Sequence, residues 1–170
     1  MIKESVEKSI NDQINAELYS AYLYLSMAAD FADKGYEGME QWMRAQAREE
    51  KEHAMRFFDY LQERGGRVEL EAIEKPKEEW ESPLEAFEEA LEHEKYVTER
   101  INEMADLAEK EKDRATLNML QWFIDEQVEE EDSTETIVNK LKMVEDSSSG
   151  LMMLDSKLGE RPTESVEEEE

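Results

Sequence analysis

"QAREEKEHAMRFF", residues 46–58, is the stretch from which the rest of the chain can be understood. Its apolar residues recur at helical spacing and lead to Phe57, so it should form a helix with one face turned inward. That same face carries Glu50 and His53, three residues apart and projecting from one side of the helix. A carboxylate buried without a partner costs several kcal/mol even after the protein relaxes around it. Alone, the pair fits an ordinary polar contact in a helical core, because buried polar groups are usually satisfied by neighbours.

The other seams make that answer insufficient. Around the opening stretch the seam runs Met39, Met43, Gln46, Glu50, His53, Phe57 and Leu61. Upstream, a first seam runs Ile10, Ile14, Glu17, Ala21, Tyr24 and Ala28. A third runs Leu84, Phe87, Leu91, Glu94, Thr98, Ile101 and Ala105, and a fourth Leu120, Phe123, Gln127, Glu130, Thr134, Ile137 and Leu141. The steps alternate between three and four residues, the period of a bundle core. Each seam carries one acid near its middle: Glu17, Glu50, Glu94 and Glu130. Four such acids close together repel one another and demand cations, yet the seam centres contain no Arg or Lys, and His53 supplies at most one charge. Two divalent metal ions would balance the four carboxylates. Oxygen donors with a single imidazole suit iron or manganese, with zinc also possible.

Glycine and proline cluster at "KGYEG" (34–38), "RGGRVELEAIEKPKEEWESP" (64–83), "SSSG" (147–150) and "GERP" (159–162). Between these breaks the chain is rich in good helix formers. Long helices are expected near 5–33, 38–64, 83–111 and 114–145, with a short fifth near 150–158. Ser82, Pro83 and Glu85 form a capping-box pattern at the start of the third. The short breaks join antiparallel neighbours. The connection 65–82, about 18 residues, can reach roughly 55–60 Å, whereas a helix of about 27 residues is roughly 40 Å long. It can therefore cross the whole bundle. The expected architecture is all-α: a four-helix bundle of two antiparallel hairpins joined by one long crossover, plus the short C-terminal helix. Residues 1–158 make one domain, and 159–170 an acidic, solvated tail.

The formal charge of −26 disfavours nucleic acid and anionic lipid as partners and favours cations. With no cysteine, disulfides, thiolate metal sites and cysteine nucleophiles are excluded. The opening "MIKESVEKSINDQ" lacks the apolar core of a signal peptide, and no apolar stretch is long enough to span a membrane. A cytoplasmic protein is the expectation.

The motifs "INAELYSAYLYLSMAADF" (14–31), "REEKEHAMRFFDYLQERGG" (48–66) and "LQWFIDEQVEEE" (120–131) together resemble the prokaryotic non-haem ferritins over about residues 1–160. The resemblance implies a ferritin-like bundle that self-assembles into a hollow shell, usually of 24 subunits. It implies oxidation of Fe(II) by O2 or peroxide and storage of hydrated ferric oxide inside. Carried over residue by residue, Glu17, Glu50 and His53 would hold one iron. Glu50 would bridge to a second held by Glu94 and Glu130. Gln127 would stand beside this two-iron centre to orient water or oxygen, and Tyr24 would donate a hydrogen bond or an electron. Glu49, Glu126 and Glu129, with Glu130, would form a third iron site toward the cavity. Acid runs such as "EQVEEED" are otherwise solvated faces. Bacterioferritins differ: their fourth helix resembles a second Glu-x-x-His, where this chain has Gln127 and Glu130, and Lys51 and Glu52 stand where their haem-binding methionine falls. No haem is expected. The competing expectations are an iron-redox bundle that stores nothing and an acidic interaction module. His93 adjoins Glu94 but points about 100° away around the helix, and is expected to be structural.

Overall fold

The computed structural model describes residues 2–162. Their order is α1 (Glu4–Lys34), α2 (Glu37–Glu63), α3 (Pro83–Lys110), α4 (Arg114–Val144) and α5 (Ser148–Leu158), with no strand among them. The expected tail falls mostly on 163–170, outside the described residues. The first break is set by Gly35, whose φ of 81° few other residues adopt readily. Its successor Tyr36 donates its backbone N–H to the carbonyl of Phe31 and packs edge-on against that ring, a Schellman ending with its hydrophobic contact. Ser82 caps α3 by accepting from the Glu85 N–H at 3.1 Å. The expected return leg differs: the Glu85 carboxylate accepts from the Glu81 N–H, one residue before the cap. Asp113 caps α4 through the Thr116 N–H and is gripped by Arg64 through two 3.0 Å bonds, which ties the far end of α2 to the start of α4.

The crossover lies along α1 and follows its direction. The Arg67 N–H meets Glu7; Glu69 N–H and the Arg67 carbonyl meet Asn11; the carbonyls of Glu71 and Ala72 meet Asn15; that of Lys77 meets Ser26; and that of Trp80 meets Lys34. An irregular segment has no ladder to satisfy its backbone, and α1 side chains supply the partners instead. Trp80, 3% exposed, anchors the end of the segment before α3 begins.

The interior has two apolar halves. One holds Tyr24, Met27, Phe31, Met43, Phe87 and Leu141, with Leu154 and Leu158 of α5. The other holds Ile10, Ile14, Phe57, Leu61, Ile101 and Phe123, with Phe57 and Phe123 stacked at 3.9 Å. The two flank a buried polar layer at mid-height, where Gln13, Glu17, Ser20, Gln46, Glu50, His53, Glu94, Gln127 and Glu130 lie. The buried stripe is wider than the expected seam. Gln13, Ser20 and Met27 are buried, whereas Ala21, Leu84, Thr98 and Ala105 are only half-buried. A core-facing helix in a bundle buries more than the narrow two-position seam of a coiled coil.

The short helix is seated by close backbone contact. Asp155 accepts from the Met39 N–H at 2.8 Å, so a residue of α5 caps α2. A Cβ added at Gly38 would lie 1.7 Å from the Asp155 carbonyl oxygen. Gly38→Ala should therefore push α5 off the bundle at a cost of about 1–3 kcal/mol, the usual range for overpacking. Hydrogen exchange should quicken in 148–158 and stay slow in α1 and α3. Unchanged protection of α5 would contradict this.

Candidate metal centre

Each hairpin brings two acids to the polar layer. Glu17, Glu50 and His53 present donor atoms within 4.8 Å of one another, and so do Glu50, Glu94 and Glu130. Glu50 is common to both groups. The His53 Nδ1 lies 3.7 Å from a Glu50 oxygen and 3.9 Å from Glu17 Oε2. The His53 ring is steadied by the edges of Trp122 and Phe123, and Arg56 covers the Trp122 face at 3.9 Å.

The carboxylates are held by amides and a phenol. Gln13 donates to Glu17 at 2.7 Å, and the Arg100 Nε in turn donates to the side-chain Oε1 of Gln13 at 2.9 Å. Gln46 donates to Glu50 at 3.0 Å and to Glu130 at 2.8 Å. Gln127 donates to Glu94 Oε2 at 3.2 Å and also meets the Glu94 carbonyl and Thr98. The Tyr24 hydroxyl donates to the other Glu94 oxygen. These neutral donors fix rotamers without neutralising charge. Sequence reasoning assigned no role to Gln13 or Gln46, although the signal is present: each stands four residues before a layer carboxylate, in "QINAE" and "QAREE".

The electrostatics follow from burial. Burial first, and then Glu50, push the Glu17 carboxyl up to about 8. Burial and the Glu94 charge push Glu130 up to about 7. Glu50 is raised well above the carboxylate range by burial and by Glu94 and Glu130, and burial raises Glu94. The Tyr24 phenol is also raised, by burial and Glu94, so it remains a donor. The layer thus holds protons or cations. Glu17 Oε2 is buried with no hydrogen-bond partner, and a proton shared with Glu50, or a metal ion, would satisfy it. An oxygen-rich donor set with one imidazole fits iron.

Toward the α2–α4 face the layer opens into a cavity of about 330 Å³ lined by Glu49, Glu126, Glu129 and Glu130 among others. The donor group beside it is His53, Glu126 and Glu130, of which Glu126 and Glu130 line the cavity. Glu49 is instead bound by Arg161 at 2.6 Å, and Glu129 is exposed. On the opposite face His93 is largely buried, its Nε2 2.7 Å from the Ser20 hydroxyl, and burial lowers it to about 4.

Antiparallel hairpins with an acid layer between two apolar halves define a ferritin-like domain, and the family model of that description matches residues 7–144. The chain belongs to the ferritin family. It is 42% identical over 161 residues to a bacterial non-heme ferritin of Bacteroides fragilis, covering 95% of this chain and all of the relative. It is 37% identical over 161 residues to one from Staphylococcus aureus, covering 95% and 97%. Among solved structures, an open pore ferritin from the hyperthermophilic archaeon Archaeoglobus fulgidus superposes with a TM-score of 0.95 at 52% identity, covering 95% of this chain and all of that one. A closed form of the same ferritin, engineered by site-directed mutagenesis, gives 0.94 at 52% identity, covering 95% and 99%. Membership of this family supports iron storage. No helix among the described residues is long and apolar enough to cross a membrane.

Proposed function

We propose that this chain oxidises Fe(II) at a two-ion centre within each subunit and stores the product as hydrated ferric oxide. The store is the inside of a self-assembled hollow shell, of 24 copies by family expectation, in the cytoplasm. The observation that carries this is the Glu17 Oε2, without a hydrogen-bond partner, in a buried layer of four carboxylates and one imidazole. A bundle built for stability alone would fill that layer with apolar side chains.

Fe(II) is the substrate. Glu17 and His53 hold one ion, Glu94 and Glu130 the other, and Glu50 bridges. Each ion gives up one electron, and O2 or peroxide takes them. Gln127 and Tyr24 hold the Glu94 carboxylate from two sides as its charge is drawn to metal. Protons that leave Glu17, Glu50 and Glu130 when metal enters can exit through the acid-lined cavity beside Glu126. Glu49, Glu126 and Glu129 take a third ion there, on the way to the store. Gln127 and Glu130, where a bacterioferritin would carry a second Glu-x-x-His, leave the ligand set rich in oxygen. That favours release of Fe(III) over its retention, and no haem is needed.

Exposed apolar side chains give self-assembly its surfaces: Tyr22, Leu25 and Leu70 on α1 and the crossover, and Met152 and Met153 on α5. The open pore and closed form of the Archaeoglobus relative fit such an enclosure. The test is anaerobic Fe(II) titration of metal-free protein, then rapid mixing with O2 while particle size is recorded. Two or three tight ions per chain, fast oxidation and a large uniform particle are expected. Absence of stoichiometric binding would overturn the proposal.

A further inference from the structure

Arg161 lies just past α5 yet reaches back to the middle of α2. Its guanidinium donates to Glu49 at 2.6 Å and to the side-chain Oε1 of Gln46 at 3.0 Å. It also approaches the Trp42 carbonyl at 3.5 Å and covers the Trp42 ring at 4.5 Å. The Gln46 amide it holds is the one that donates to Glu50 and Glu130. One planar cation therefore touches the acid cavity with one nitrogen and orients a partner of the metal layer with another, as the fork geometry of arginine allows. The cavity it enters is lined by Glu49, Glu126, Glu129 and Glu130, an excess of like charge.

We propose that Arg161 is a positioning residue that serves as the tethered counter-ion of the cavity-side site, holding Glu49 until an incoming divalent cation takes that carboxylate from it. This rests on the metal-centre function proposed above. It makes the third site weaker than the two-ion centre, because a third ion must displace a guanidinium as well as bind. Ions consequently fill the inner layer first, and the outer ion is readily passed on. It also links occupancy of the cavity to residues 159–162 beyond α5, since a displaced Arg161 releases Trp42 and Gln46 together.

The test uses the assembled full-length protein and Zn(II), which is redox-silent, in calorimetric titration at fixed pH and low salt. The parent should show a tight class of ions and a weaker one. In Arg161→Gln the weaker class should bind about two- to fivefold more tightly, the scale of one partly exposed ion pair removed. Arg161→Lys keeps the charge but not the fork and should stay near the parent. In a Glu49→Gln background the substitution at 161 should make no difference. Unchanged or weaker binding of that class in Arg161→Gln overturns the proposal. So does the same tightening in the Glu49→Gln background, or an Arg161→Lys variant that behaves as Arg161→Gln, the mark of a merely structural role. A parent that binds no zinc stoichiometrically removes the metal-centre reading itself, and this inference with it.

Discussion

Glu50→Gln should slow the initial oxidation of Fe(II) at least about a hundredfold, since even partners behind a metal ligand typically cost 10–100-fold when removed. The same substitution should make the metal-free protein more stable. Glu50 is shared between the Glu17–His53 group and the Glu94–Glu130 group, so its loss would impair both proposed ion positions at once. In the metal-free state, however, its carboxyl is fully buried beside Glu94 and Glu130 and stays neutral only by taking up a proton on folding, which costs stability near neutral pH. An isosteric amide fills the same space and needs no proton taken up on folding. Activity and stability should therefore move in opposite directions, as expected where a site is strained for function. Stopped-flow oxidation and thermal unfolding on the same preparations check both halves. A parental oxidation rate would remove Glu50 from the centre, and a lower metal-free midpoint would show that the layer is not strained by charge.

The stability of metal-free protein should fall as pH rises from about 6.5 to about 8. Glu17 titrates near 8 in the fold and Glu130 near 7, against an ordinary value of 4.5. Over that window the folded state holds more protons than the unfolded chain, so raising pH favours unfolding. Glu17 alone contributes about 2 kcal/mol between pH 6.5 and 8, at about 1.4 kcal/mol per pH unit. Below about 6.5 the slope is blunted. His93, lowered from 6.5 to about 4, stays neutral in the fold and contributes in the opposite sense between those values. Divalent cations replace the protons, so their stabilisation should grow with pH over the same range. Unfolding midpoints at pH 6.5, 7.2 and 8.0, with and without Zn(II), test this. A metal-free midpoint that climbs with pH would contradict it, and Glu17→Gln should flatten the dependence.

The fold class was legible because its signals are local. Helical spacing, Gly35 and the Ser82–Pro83 start each act within a few residues, and the length of 65–82 already distinguished a crossover from a hairpin turn. The layer acids were legible because a carboxylate on an apolar stripe is costly wherever it falls. What escaped acts across the chain. Arg161 meets Glu49 over a separation of 112 residues with no periodicity to announce it. Asp155 caps α2 from a helix that gives no sign of it in sequence. Ser20 and His93 find each other between α1 and α3. Gln13 and Gln46 were legible in principle, as a repeated Gln-x-x-x-Glu, but an amide in a seam carries no charge to raise the question.

The crossover has a consequence for how the molecule can be cut. Its backbone rests on side chains of α1 and is not woven into a ladder, while each hairpin buries its own interface and their shared layer is completed from both sides. The covalent link at 67–77 is thus a tether more than a strut. A chain nicked there leaves two fragments, each with half of the acids and one side of the apolar core. Those fragments are suited to recombine, and a divalent ion bound at the proposed centre, with donors from both, would be the ligand that rejoins them.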